Sequence, residues 1–166
     1  MVNMINANDP KLKSWVEVPN NSDFPIQNLP FGIFSTEKKN KRVGVAIGEN
    51  IIDLASLKEL GYLNELPFSA EDFHNSYLNA MMQHGKFAVR ALRDQVSSLL
   101  DQKNDVLQSN KNHCDLVLDN QSIANLHLPI EIGDYTDFYS SEQHAYNVGC
   151  MFRDCLLYTS DAADEV

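Results

Sequence analysis

The fold is decided by three short apolar runs: Phe31-Gly32-Ile33-Phe34-Ser35-Thr36, then Arg42-Val43-Gly44-Val45-Ala46-Ile47, then Ile51-Ile52-Asp53-Leu54. Each is four to six residues long and rich in β-branched side chains. A charged turn, Glu37 to Lys41, separates the first two. Gly48-Glu49-Asn50 makes a tight turn before the third. Runs of this length, joined by turn residues at this spacing, predict antiparallel strands of a barrel-like sheet. Gly44 and Gly48 do not form a nucleotide loop. Their spacing is not G-x-G-x-x-G, no Lys-Ser/Thr follows, and a strand comes next.

Upstream, residues 1 to 15 are polar and rich in Asn and Lys, which reads as a loose extension. Pro19, Pro25 and Pro30 keep the following stretch extended and mostly non-helical. Downstream the period changes. Ala55 to Leu60 is a helical turn ended by Gly61, and Ser69-Ala70-Glu71-Asp72 resembles a capping box with Asp in place of Glu. Phe73, Tyr77 and Met81 lie four apart, as do Ala88, Leu92 and Val96. That is helical spacing with one buried face, and Gly85 divides two helices. Asp101 to Cys114 is polar and loop-like. Leu116 to Leu118 is a strand or a helix end, and Ile123 to Ile130 is an extended connector. The class is α+β, mainly β, because helices follow strands without strict alternation.

Composition narrows the function. The chain has 166 residues, with 13 Lys and Arg against 23 Asp and Glu, a net charge of −10. A nucleic-acid partner is disfavoured, since that needs clustered cations to replace counterions. No apolar run approaches the ~20 residues that span a bilayer, and Met1 to Pro10 has no basic or apolar signal pattern. Cys114, Cys150 and Cys155 match no zinc spacing, and three free thiols in a reducing, cytoplasmic compartment fit best.

The chemistry-bearing residues concentrate in 132 to 154, which hold Asp134, Tyr135, Asp137, Tyr139, Glu142, His144 and Arg153. Carboxylates hold hard cations, a histidine takes a proton from water, and Tyr and Arg grip a carboxylate. Asp137 and Tyr139 face one way if the stretch is extended. Residue types alone mark a site here without naming a reaction, and Asp134 and Glu142 have no evident task.

The run Gly133 to Ser141, followed by Gln143-His144-Ala145, Asn147-Val148-Gly149 and Met151-Phe152-Arg153, resembles the fumarylacetoacetase family. Ser22 to Thr36, Arg42 to Gly48 and Ile52-Asp53-Leu54 carry the same resemblance. It covers roughly Val16 to Asp154. It implies an SH3-like N-terminal barrel with helices at 16–125 and the truncated start of a β-rich catalytic domain at 126–154. It also implies hydrolysis of a carbon–carbon bond in 4-fumarylacetoacetate, giving fumarate and acetoacetate, in tyrosine and phenylalanine breakdown. Asp137 would then be a ligand of Ca²⁺ or Mg²⁺, His144 the catalytic base, and Tyr139 and Arg153 substrate contacts, in a homodimer. Residues 155–166 depart from the resemblance and read as a non-native tail, similar to the in-frame translation of a sequencing adapter. The further ligands and the group orienting His144 would lie downstream, so the 166 residues by themselves are expected to be inactive. A different class remains open: a stand-alone small β-barrel interaction module, for which Trp15, Tyr62 and Phe68 are the aromatic candidates.

Overall fold

A computed structural model describes residues 6–134 and 140–152, in two compact units, 1–131 and 132–166. The first unit contains the sheet. Strands β1 (Phe31–Ser35), β2 (Arg42–Ile47) and β3 (Asn50–Asp53) fall where the apolar runs place them. They pair antiparallel, with Ile33 opposite Val43 and Val45 opposite Ile52. Two three-residue strands complete the sheet. β4 (Leu118–Asn120) pairs with β3 and β5 (Asn125–His127) pairs with β1, giving the order β4-β3-β2-β1-β5.

This order dictates the shape of the sheet. β4 and β5 occupy opposite edges, yet only residues 121–124 join them. Flat, the edges would lie about 19 Å apart, four gaps of about 4.8 Å. The link cannot reach that far, because Gln121–Ile123 form a 3-10 turn, which rises only about 2 Å per residue. The sheet therefore curls into a half-barrel. Gln121 fixes the link: its side-chain amide donates to Gly48 O (3.1 Å) and Asn50 O (3.0 Å).

Alternation gives the sheet two apolar faces. Ile33, Val43, Val45, Ile47 and Ile52 join the main core with buried residues of the helices, among them Leu57, Phe73, Leu92 and Leu107. The other face carries Phe34, Gly44 and Ile51. A Cβ on Gly44 would lie 2.5 Å from Ile51 Cγ2 and 2.7 Å from Phe34 Cδ1, so glycine lets these two side chains close over the strand. Beside them lies an apolar pocket of ≈ 270 Å³, bordered by Phe24, Phe31, Phe34 and Leu126.

Six helices cover the first face: α1 (Leu54–Glu59), α2 (Ala70–Phe73), α3 (Asn79–Gln83), α4 (Gly85–Leu100), α5 (Asp105–Gln108) and α6 (Lys111–Val117). The capping box forms: Ser69 accepts from Asp72 N–H, and the Asp72 carboxylate accepts from Ser69 N–H at 2.7 Å. In α4, Leu92, Val96, Leu99 and Leu100 make the buried stripe that the spacing predicts.

Several expectations need correction. The class is α+β, but among the described residues helix exceeds strand, so "mainly β" does not hold. Phe73, Tyr77 and Met81 do not share one helix, because α2 ends at Phe73 and α3 begins at Asn79. The polar stretch from 101 holds two helices. Asn104 caps α5 and Asn110 caps α6, each accepting from a backbone N–H, while Leu107 and Val117 supply the buried contacts. Residues 6–15 are held in place. Trp15 donates its backbone N–H to Leu100 O (3.1 Å) and its indole N–H to Leu99 O (2.8 Å). Those are carbonyls at the end of α4 that the helix itself leaves unpaired.

Gly48 yields one stability prediction. Its φ is +55°, and a Cβ would press on the backbone carbonyl oxygen of Glu17. Backbone cannot give way as a side chain can. Gly48→Ala should therefore cost about 2 kcal/mol, combining left-handed strain with the clash. Urea denaturation measures it, and an unchanged midpoint would count against the close approach.

Candidate functional site

The segment singled out by its chemistry lies in the second unit. Its described element is α7 (Glu142–Phe152). Ser141 opens the helix: its hydroxyl oxygen accepts from His144 N–H at 3.4 Å, and its carbonyl accepts from Ala145 N–H at 2.9 Å. Glu142 adds a negative charge to the first turn, where the helix dipole favours one. His144 thus sits in the first turn of α7, its backbone fixed and its side chain exposed. Asp137, Tyr139 and Arg153 lie outside the described residues. Asp134 is exposed, as is Glu142.

The first unit holds a polar centre that sequence reading missed. Asp53 is fully buried at the junction of β3 and α1. One carboxylate oxygen accepts from Ser56 N–H (3.2 Å). The other takes Ser56 Oγ (2.8 Å), Lys39 Nζ (2.9 Å) and Arg42 Nη1 (3.3 Å). Lys39 also reaches Asp119 of β4 at 2.6 Å. The carboxylate therefore joins the β1–β2 turn, β2 and α1, and through Lys39 also β4. Every described partner is a group of the same unit, which suits a structural role. The available signal was an Asp directly before a helix, the ordinary mark of an N-cap. Its cationic partners are remote in sequence and gave no sign.

A third cluster lies between α1 and α6. The Tyr62 hydroxyl and His113 Nδ1 are 2.7 Å apart, and the two rings meet edge to face. The neighbouring Cys114 directs its Sγ to Leu107 O at 3.3 Å. Burial pushes the Cys114 thiol pKa up, and Asp115 raises it further against an opposing backbone hydrogen bond. Burial, then the nearby Cys114, raises Tyr62. Cys114 and Tyr62 therefore stay neutral at pH 7, and the thiol is no ready nucleophile. Both folded-state values are raised, so the neutral forms favour the folded state. That contribution is full below the ordinary values of 9.0 and 10.0 and is lost as pH climbs through the higher folded ones. Denaturation midpoints should hold steady to neutral pH and fall in alkali. The Tyr62→Phe, Cys114→Ser double variant should show a shallower alkaline fall, and an identical slope would refute the assignment.

The aromatic candidates for an interaction groove are engaged elsewhere. Phe68 is buried against Phe73, Trp15 caps α4, and Tyr62 meets His113. Cys114 is a free thiol, whereas Cys150 is in a disulfide, so the expected three free thiols are not present. Among the described residues, no three His, Cys, Asp or Glu side chains converge as a metal site. No described helix is long and apolar enough to cross a membrane.

Residues 27–129 match a family model described as fumarylacetoacetase N-terminal. The chain is 48% identical over 143 residues to a protein of Caenorhabditis elegans named fumarylacetoacetase, covering 86% of this chain and 34% of that one. It is 45% identical over 141 residues to the Rattus norvegicus protein of that name, covering 84% and 34%. With the Homo sapiens protein it shares 43% over 142 residues, covering 85% and 34%. The chain thus spans about a third of the length of these relatives.

Proposed function

The chain belongs to the fumarylacetoacetase family, and from that premise we propose that its residues serve the hydrolysis of 4-fumarylacetoacetate to fumarate and acetoacetate. The supporting observation is the 48% identity over 143 residues to the C. elegans protein of that name. In this reading the substrate is a small dicarboxylate, consumed in tyrosine and phenylalanine breakdown. Tyr139 and Arg153 hold it through hydrogen bonds and charge. His144, in its neutral form, takes a proton from water. The hydroxide adds to a ketone carbonyl and the adjacent carbon–carbon bond breaks. The water oxygen leaves in fumarate, and the departing enolate takes up a proton to become acetoacetate.

The resemblance also implies Ca²⁺ or Mg²⁺, with Asp137 as one ligand. Ca²⁺ takes six to eight oxygens. The described residues do not gather three candidate ligands, so they do not by themselves form that site. A homodimer is proposed on the same footing. A cytoplasmic setting is proposed on the same footing.

The 166 residues alone are proposed to be inactive, because they match only 34% of the length of the C. elegans relative and the resemblance places further metal ligands outside that part. Two preparations test both parts. Residues 1–166 should leave 4-fumarylacetoacetate intact. A chimera of residues 1–152 followed by the downstream two thirds of the C. elegans relative should consume it and release fumarate. Turnover by residues 1–166 refutes the proposed inactivity. A folded chimera that leaves the substrate intact refutes the assigned activity.

A further inference from the structure

The N-terminal segment meets the first unit at two places of different kind. The nearer is Trp15–Val16. Trp15 gives both of its N–H groups to the end of α4 and packs against the core, and Val16 is buried within it. The farther is Gln27. Its amide nitrogen carries two hydrogens and donates to Asp9 O (3.0 Å) and Leu12 O (2.9 Å). Gln27 does not need the segment to hold its own position. Ile26 and Leu29, on either side of it, are buried in the core. Its carbonyl accepts from Arg93 Nη2 of α4 at 2.6 Å, and Asn28 N–H closes a turn on Pro25 O at 2.7 Å. The 9–12 turn is likewise self-contained. Leu12 N–H donates to Asp9 O (3.1 Å) and Lys11 N–H to the Asp9 carboxylate (2.9 Å). Turn and receiver are each preformed, and one side chain bridges them.

Little apolar surface reinforces that bridge. From 7 to 14, Ala7 alone is buried, and it lies outside the main core cluster. Leu12 is only partly buried. The remaining tie is Gln102 N–H to Lys13 O at 2.8 Å. Among the described residues, three hydrogen bonds thus join 6–14 to the rest of the unit. A segment so lightly held opens at a lower free energy than the core behind it.

We propose that residues 6–14 are a strap that swings open about Trp15 and Val16 while the sheet and helices stay folded, and that Gln27 is the latch that holds it shut. The 3-10 turn Asn6–Asn8 lies against α4, so opening bares that stretch of the helix and returns the Gln27 amide to solvent. The strap and its latch belong to the first unit and do not depend on the proposed activity.

Native-state proteolysis of residues 1–166 tests both parts. Lys11 is exposed within the strap, but trypsin needs several residues of free chain around the bond it cuts. Cleavage between Lys11 and Leu12 therefore reports the open population. Its rate, corrected for the effect of urea on trypsin, should rise with urea at less than about a fifth of the slope of global unfolding, because the slope follows the surface exposed. Trp15, the single tryptophan, should keep its emission after the cut. A rate that rises as steeply as global unfolding would overturn the strap, since 6–14 would then leave only with the whole unit. A red-shifted Trp15 emission would overturn the pivot. These readings come from the unsubstituted chain and stand whatever a variant does. Gln27→Glu tests the latch, because the carboxylate keeps the shape of the amide and cannot donate. It should make cleavage at Lys11 about tenfold faster without urea, the factor set by about one net hydrogen bond. Gln27→Ala, which removes the donor without adding charge, should accelerate it similarly. An unchanged rate in either variant would overturn the latch.

Discussion

Replacing Asp53 with alanine will cost the first unit about 3–5 kcal/mol, the usual penalty for removing one member of a buried ion pair. The carboxylate is fully buried and receives Lys39, Arg42 and both donors of Ser56. Its loss leaves the Arg42 guanidinium facing a void and removes the N-cap of α1. Lys39 retains Asp119, so part of the charge remains compensated. The fall in Tm should be on the order of 10 °C. Asp53→Asn preserves an acceptor for Ser56 N–H and removes the charge, so it should fall between wild type and alanine. A loss below about 1 kcal/mol for alanine, the range of an exposed ion pair, would refute the structural role.

On the proposed function, His144→Asn in the active chimera should lower kcat by about 10²–10⁴, the range supplied by a positioned general base. The asparagine amide cannot accept the proton of water. The His144 side chain is exposed and its contact with Ser141 is through the backbone. KM should change far less than kcat. A kcat reduced by less than about threefold would remove His144 from the proton transfer.

Much of the sheet is legible in the sequence because β1, β2 and β3 are consecutive and each carries its own apolar pattern. β4 and β5 are not legible in that way. Each has three residues, too few to show a period, and each is a strand only through a distant partner. Leu118 pairs with Ile52 and Leu126 with Phe34. The helices after Asp101 were hidden for a related reason. They are short and mostly polar outside, and one buried residue in each, Leu107 and Val117, carries no periodic signal. Trp15 is held by carbonyls of α4, and Asp9 and Leu12 by the side chain of Gln27, which no local reading of a polar terminus discloses.

The candidate site divides along the same line. His144 stands in a helix that begins at Glu142, and a serine directly before that helix is a readable cap. Its chemical role came from the resemblance, since an exposed histidine has no composition that distinguishes a base from a surface residue. Asp53 shows the converse. Its burial and its cations arise only when the β1–β2 turn, β2 and α1 are brought together, and Asp119 joins through Lys39 from far along the chain.

The link at 121–124 sets a schedule for biosynthesis. β1, β2 and β3 are complete once Asp53 has been made, but the strands that cover both outer edges of that meander come from 118–127. Translation at 5–20 residues per second leaves the nascent sheet with two open edges for roughly 4–15 s. Open edges are templates for pairing with other chains. A single ribbon then seals both sides almost together. The interval before it emerges is when a holdase bound to the β-meander would do the most to prevent misassembly.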